Sequence, residues 1–141
     1  MEAGWQNGRV VCLALYLIAD RPLASIDSDA LVVAPLHELR WGKPVVPGDH
    51  VYRFGPPGCA CSLLRDGEDE KSDGERERQL DAAVDYLEQI CLAGPVTALV
   101  SWMGDERKEA GSAETTPAGF RHFNFDTAWE RPTRVNISAG A

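Results

Sequence analysis

Two cysteines separated by one residue are the side chains of this sequence best suited to chemistry. They stand in the motif Gly58-Cys59-Ala60-Cys61. Residues two apart on a β-strand project to the same side, so both thiols would share one face. Thiolates bind zinc, copper(I) and iron–sulfur clusters. We therefore predict a thiol site, either redox-active or metal-binding with zinc as the candidate ion, at Cys59 and Cys61, with Cys12 as a third ligand if its strand lies beside theirs.

A second interpretation of the same residues stays open. A structural zinc site uses four ligands and usually spaces its cysteines two to four residues apart, and no second cysteine pair is present here. Cys59, Cys61 and Leu63 fit the core side of a strand equally well, because free cysteine is among the most buried residue types. Cys91 falls within an apolar helical pattern and is expected to be a small buried side chain.

Side chains for acid–base or nucleophilic catalysis occur, but in no recognised motif. Three histidines stand near carboxylates in the sequence: His37 with Glu38, His50 with Asp49, and His122 with Asp126. The candidate nucleophilic serines are Ser25, Ser28, Ser62 and Ser101. The sequence contains no G-x-S-x-G elbow, phosphate-binding loop or dinucleotide fingerprint. We predict no catalytic residues, and the lack of a motif favours a protein that is not an enzyme. A hydrolase that uses His50 or His122 stays open as an alternative without a motif.

The charge balance restricts the classes of partner. The chain has 141 residues, with 22 acidic and 14 basic side chains and a net charge of −8. Binding to nucleic acid or to an anionic membrane surface needs a basic face, so we expect neither. An acidic surface attracts basic proteins, although solubility alone is also a sufficient reason for it.

The cellular compartment is inferred from the cysteines and from the first apolar run. Four cysteines are too few for a disulfide scaffold. The run Val10–Ala19 is too short to cross a bilayer, and it lacks the flanks of a signal peptide. We therefore predict a cytoplasmic protein whose thiols are reduced.

One long amphipathic helix is the clearest predicted element. It begins near Ser72, within an acidic run, and carries an apolar stripe at helical spacing. Glycine followed by proline, at Gly94-Pro95, ends it. The stripe consists of Leu80, Ala83, Val84, Leu87, Ile90 and Cys91.

Short β-type segments flank this helix on both sides. Strands before and after a single helix indicate one α+β domain, residues 1–141, with a mostly antiparallel sheet and the helix packed on one face. We predict frayed ends at 1–8 and 138–141, and loops at 66–74 and 104–119. The predicted strands are Val10–Ala19, Ala30–Leu36, His50–Phe54, Cys59–Arg65, Val96–Trp102, Phe120–Phe125 and Thr133–Ile137.

The chain also resembles a family of small uncharacterised bacterial proteins. The resemblance is carried by the apolar run from Cys12 to Asp20, by Val51-Tyr52 before the Gly-Cys-x-Cys hairpin motif, and by Trp102 before Gly104-Asp105-Glu106. It spans about residues 10–125. In that family the residue between the two cysteines is usually glycine, whereas this chain has Ala60. The resemblance implies a bacterial cytosolic origin and a role for Cys59 and Cys61, and it implies no activity.

Two hypotheses for function follow. The first is a small non-enzymatic binding or regulatory domain with an acidic surface, which forms a homodimer or holds a protein partner. Exposed aromatic residues beside arginines, Trp41 and Trp129, would suit such an interface. The alternative is the thiol-based metal or redox protein built on Cys59 and Cys61.

Overall fold

A seven-stranded sheet forms the centre of the molecule. The computed structural model describes residues 5–6, 9–10, 13–36, 50–57, 72–102, 110–125 and 131–139. The strands are β1 (Trp5–Gln6), β2 (Arg9–Val10), β3 (Leu13–Ala19), β4 (Ile26–Asp27), β5 (Val32–Leu36), β6 (His50–Gly55), β7 (Val96–Trp102), β8 (Gly111–Thr115) and β9 (Thr133–Ile137). The helices are α1 (Ser72–Ile90) and α2 (Pro117–Phe120).

The strand order is β4-β5-β6-β3-β7-β9-β8, and β1 pairs separately with β2. Every neighbouring pair is antiparallel except β8 and β9, which are parallel. The central strand β3 is buried on both sides, which explains why its sequence is a continuous apolar run. The prediction of a mostly antiparallel α+β domain with a long helix on one face is confirmed.

The helix α1 covers one face of the sheet through its apolar stripe. Leu80, Ala83, Leu87 and Cys91 are buried in the same cluster as alternate residues of β3 and β7. The opposite face of the sheet contains a smaller buried cluster of Ala14, Tyr16, Val51 and Leu99. Because residues alternate in direction along each strand, β3 and β7 contribute to both clusters.

Pro35 lies inside strand β5. Proline has no N–H to donate, so a strand tolerates it where no neighbour needs that donor. Here β4 pairs only with Val32 and Val33, and the pairing has ended before Pro35. The predicted second strand therefore forms and continues to Leu36.

The predicted loop at 104–119 is wrong over its second half. Residues 111–115 form β8 and residues 117–120 form α2. The β8 segment is built of small and polar residues with weak strand propensity, and it forms because Gly111–Thr115 pairs along β9. The predicted loop at 66–74 also ends early, since α1 begins at Ser72.

The predicted strand at Phe120–Phe125 is also wrong. Phe120 ends α2, and a turn follows it. The aromatic residues of the segment Phe120–Phe125 instead form a packed cluster. The rings of Phe120 and Phe125 meet edge to face, with 5.4 Å between their centroids. The predicted frayed start differs as well, because Trp5–Gln6 pairs with Arg9–Val10.

Candidate functional site

The three predicted metal-site cysteines, Cys12, Cys59 and Cys61, lie outside the described residues. The same holds for His37, Trp41 and Trp129, and for the strand predicted at Cys59–Arg65. The zinc or redox site therefore stays a prediction. Among the residues that the structure does describe, no group of three or more histidine, cysteine or acidic side chains is arranged to hold a metal ion.

The fourth cysteine, Cys91, lies in the core as its helical position indicates. Its thiol contacts the backbone carbonyl oxygen of Ile137, with sulfur and oxygen 3.7 Å apart. Burial raises the pKa of this thiol, although the nearby charge of Arg21 acts in the opposite direction. A protonated, buried thiol is a poor nucleophile, so Cys91 is a structural residue.

Of the candidate serines, the structure describes Ser25, Ser28 and Ser101, and the hydroxyl groups of the last two bond to the backbone. Ser101 is fully buried, and its hydroxyl donates to the carbonyl oxygen of Trp102 at 2.8 Å. The hydroxyl of Ser28 accepts from the backbone N–H of Leu31 at 3.0 Å and thereby shapes the turn before β5. Ser25 is exposed. Within the part of the chain that the structure describes, none of these hydroxyl groups hydrogen-bonds to a histidine side chain.

An exposed acidic face of α1 is the most distinct surface of the described residues. The helix positions Glu77, Asp81, Asp85 and Glu88 at intervals of four, four and three residues, and all four are exposed. At 3.6 residues per turn these side chains fall within an arc of about 80°. We call these four residues the acidic helix surface. The apolar stripe lies on the other side of the same helix and fixes the direction in which they point.

The two halves of this surface differ in how their charge is balanced. Arg121, which follows α2, forms ion pairs with Glu77, at 2.5 Å, and with Asp81. Hydrogen bonding to Asp81 raises the pKa of the Arg121 guanidinium. Asp85 and Glu88 form no ion pair within the described part of the chain. Toward the C-terminal end of α1, the acidic side chains therefore have no ion-pair partner among the described residues.

Glu88 stands where a helix disfavours an acid. It lies in the last turn of α1, which contains no basic residue, and the C-terminal end of a helix carries a partial negative charge. An acid there costs about 0.3–1 kcal/mol at an exposed position. The guanidinium of Arg21 offsets part of this field, because its Nη2 donates to the carbonyl oxygens of Ile90 at 2.6 Å and Gly94 at 2.8 Å.

An exposed leucine extends the acidic helix surface. Leu92 is 79% exposed and lies in the turn directly after α1, one helical turn beyond Glu88 in sequence. It is the single large apolar side chain with that degree of exposure among the described residues. This surface is not among the predictions from the sequence, although the predicted helix and the spacing of the acids together indicate it.

Comparison with known proteins identifies no relative of this chain. No protein family, curated protein or solved structure matches the chain. The resemblance to the family with the Gly-Cys-x-Cys motif therefore stays a prediction. Neither described helix is long and apolar enough to span a bilayer.

Proposed function

We propose that this protein is a small non-enzymatic binding domain that holds a basic protein partner against the acidic helix surface and Leu92. The observation that carries the proposal is the row of four exposed acids on one side of α1, which ends beside an exposed leucine. Charge of one sign around an apolar anchor suits recognition of a basic segment that also carries an apolar side chain.

The position of Glu88 supports a role in binding over a role in folding. An acid in the last turn of a helix opposes the helix dipole, so its presence does not stabilise the fold. The exposed side chain of Leu92 likewise leaves apolar surface in water, so it contributes nothing to the stability of the folded state. Both residues become favourable when a cationic and partly apolar segment covers them.

Affinity capture with matched variants tests this proposal. Immobilised protein is exposed to a cell lysate, and bound proteins are eluted by a salt gradient and identified. Glu88→Lys and Leu92→Ser alter the proposed surface, while Asp27→Lys makes the same charge reversal at an exposed residue of β4, outside the acidic helix surface. We expect a basic protein that the wild type and Asp27→Lys retain, that Glu88→Lys and Leu92→Ser lose, and that elutes with salt.

The proposal fails if no captured protein distinguishes Glu88→Lys from Asp27→Lys. It also fails if the captured protein is acidic, because charge complementarity would then not explain binding. Circular dichroism of each variant confirms that the loss of binding does not reflect unfolding.

A thiol-based metal or redox function remains a second proposal, and one observation favours it. Because β3 and β6 are antiparallel, Leu13 at the start of β3 and Gly55 at the end of β6 lie at the same end of the sheet. Cys12 directly precedes Leu13 in sequence, and Cys59 follows Gly55 by four residues. Thiolates that converge there would suit a soft metal ion.

Elemental mass spectrometry of protein purified without chelator or affinity metal tests this second proposal. We expect near-stoichiometric zinc, copper or iron that Cys59→Ser and Cys61→Ser each remove, while Cys91→Ser retains it. Metal-free protein whose Cys59 and Cys61 alkylate no faster than Cys91 would reject both the metal and the redox form.

A further inference from the structure

The two edges of the seven-stranded sheet are unequal. At one edge, β4 consists of only two residues, Ile26–Asp27. At the other edge, β8 extends over Gly111–Thr115, and no described strand pairs with its outer side. Short strands, prolines and bulges normally protect sheet edges from pairing with another chain. None of these three occurs within β8, where the one charged side chain that opposes pairing is Glu114 and the other four side chains are small.

The hydrogen bonds to β9 reveal which backbone groups of β8 point outward. The N–H of Gly111 donates to Pro132 at 2.8 Å, and the carbonyl of Thr115 accepts from Ser138 at 3.1 Å. In a parallel ladder, alternate residues of a strand bond to the same neighbour, so Ala113 also faces β9. The N–H and C=O groups of Ser112 and Glu114 therefore point away from the sheet. Both of these residues are exposed.

We propose that a second copy of this chain pairs with β8 in the antiparallel direction, about a two-fold axis at Ala113. This places Ser112 of each copy opposite Glu114 of the other. In an antiparallel ladder such a pair exchanges two hydrogen bonds, so all eight outward backbone groups are satisfied. The two sheets then form one continuous sheet, and the contact is the same from both sides, as a two-fold dimer requires.

Other antiparallel registers fit less well. Shifting the axis to Glu114 sets two carboxylates directly opposite each other, which destabilises a strand pair. Shifting it to Ser112 sets Glu114 opposite Ala110, which precedes β8 and has no hydroxyl to face the carboxylate. The axis at Ala113 avoids both faults, because a hydroxyl faces each carboxylate and a small side chain lies on the axis.

Charge on the neighbouring strand matches this register. Arg134 lies beside Ser112 in the β8–β9 ladder, on the exposed side of β9. Within the described part of one chain, no ion pair joins Arg134 and Glu114, which lie on adjacent strands two residues out of register. In the proposed dimer, Arg134 and Glu114 of the second copy are two strand spacings apart, about 10 Å between Cα atoms. Only the small side chain of Ser112 stands between them, so the two long side chains can meet.

This inference does not depend on the proposed function, because β8 is at the sheet edge and shares no residue with the acidic helix surface. Sedimentation equilibrium and light scattering of the full chain, from micromolar to millimolar concentration, measure its mass. We expect a concentration-dependent shift from the 15.4 kDa of one chain to twice that mass. Glu88→Lys, which tests the proposed function, should leave this shift unchanged.

Three variants locate the interface. Ser112→Pro removes an outward N–H and no bond to β9, and Glu114→Arg places a cation near Arg134 of the other copy. We expect each to raise the dimer dissociation constant about tenfold or more. The double variant Glu114→Arg/Arg134→Glu exchanges the charges, and we expect it to recover most of the lost affinity. This recovery separates a lost contact from misfolding, even where Ser112→Pro perturbs the strand.

A wild-type chain that keeps the mass of one copy up to millimolar concentration overturns the proposal. A dimer that Ser112→Pro and Glu114→Arg leave unchanged also overturns it, because another surface then joins the copies. A double variant as weak as Glu114→Arg alone contradicts the proposed register.

Discussion

The two halves of α1 are joined to the rest of the molecule by different kinds of bond. In the C-terminal half, Arg21 donates to backbone carbonyl oxygens at the helix end, and the hydroxyl of Tyr86 donates to the carbonyl oxygen of Ala24 at 2.6 Å. In the N-terminal half, Arg121 pairs with Glu77 and Asp81, whose side chains are 55% and 63% exposed. The C-terminal half therefore relies on backbone acceptors. The N-terminal half relies mainly on exposed ion pairs, which include that of Arg78 with Asp29.

This difference separates residues that hold the fold from residues that are free to vary. A partly buried carbonyl oxygen that loses its donor retains part of its cost of desolvation, whereas an exposed carboxylate that loses its arginine is solvated by water. We therefore expect the segment 20–24 to constrain the fold strongly. We expect the ion pairs near α2 to add little, which leaves that side of the helix available for a partner.

The largest expected effect is that of Arg21→Ala. It removes the charged donor from the carbonyl oxygens of Ile90, Gly94 and Pro95. Hydrogen bonds to charged groups contribute about 1.5–3 kcal/mol, so we expect the free energy of unfolding to fall by about 2–3 kcal/mol. Urea denaturation measures this change. Arg21→Lys should lose about half as much, because one ammonium group cannot reach every acceptor; an unchanged midpoint for Arg21→Ala would remove the distinction between the halves.

The next effect is a loss of stability at alkaline pH. Burial, followed by the neighbouring Tyr52, raises the pKa of Tyr86 to about 12 from its usual value of 10.0. The folded state therefore holds the phenol proton more tightly than the unfolded state. This contribution is complete below pH 10 and is lost as the pH rises toward 12, by up to about 2 kcal/mol. Urea denaturation between pH 8 and pH 11.5 should show the decline.

Replacing the same tyrosine tests this assignment at neutral pH. Tyr86→Phe keeps the ring and removes the hydrogen bond to Ala24, so we expect a loss of about 1 kcal/mol at pH 7. The variant should also show a flatter decline above pH 10 than the wild type. A decline equal to that of the wild type would mean that other groups titrate there and that Tyr86 is not the cause.

The smallest expected effect is that of Arg121→Gln. Its carboxylate partners are exposed, and surface ion pairs are strongly screened by salt. We expect a slight decrease in the urea midpoint at low ionic strength, smaller than that of Tyr86→Phe, and no difference from wild type in about 0.5 M sodium chloride. A large, salt-independent loss would show that both halves of α1 are held with equal strength.

Prediction from the sequence succeeded where the residues of a single segment indicate its secondary structure by themselves. The apolar stripe and Gly94-Pro95 predict α1, and Gly94 indeed adopts a positive φ of 147°, which glycine tolerates. Strands β3, β6, β7 and β9 are predicted by their apolar residues. Prediction failed at β8, because small polar residues indicate a loop and only the pairing with β9 makes them a strand. It also failed at Phe120–Phe125, where alternation reflects packing in an aromatic cluster.

The sequence alone determines the fold class, the apolar side of α1 and therefore the exposed row of acids opposite it. These features follow from local periodicity, which needs no knowledge of distant residues. The tertiary structure alone decides the strand order, the capping of α1 by Arg21 across about 70 residues of sequence, and the outward direction of Ser112 and Glu114. Each of these features depends on which segments become neighbours in the fold. That arrangement is determined jointly by many contacts between residues distant in sequence.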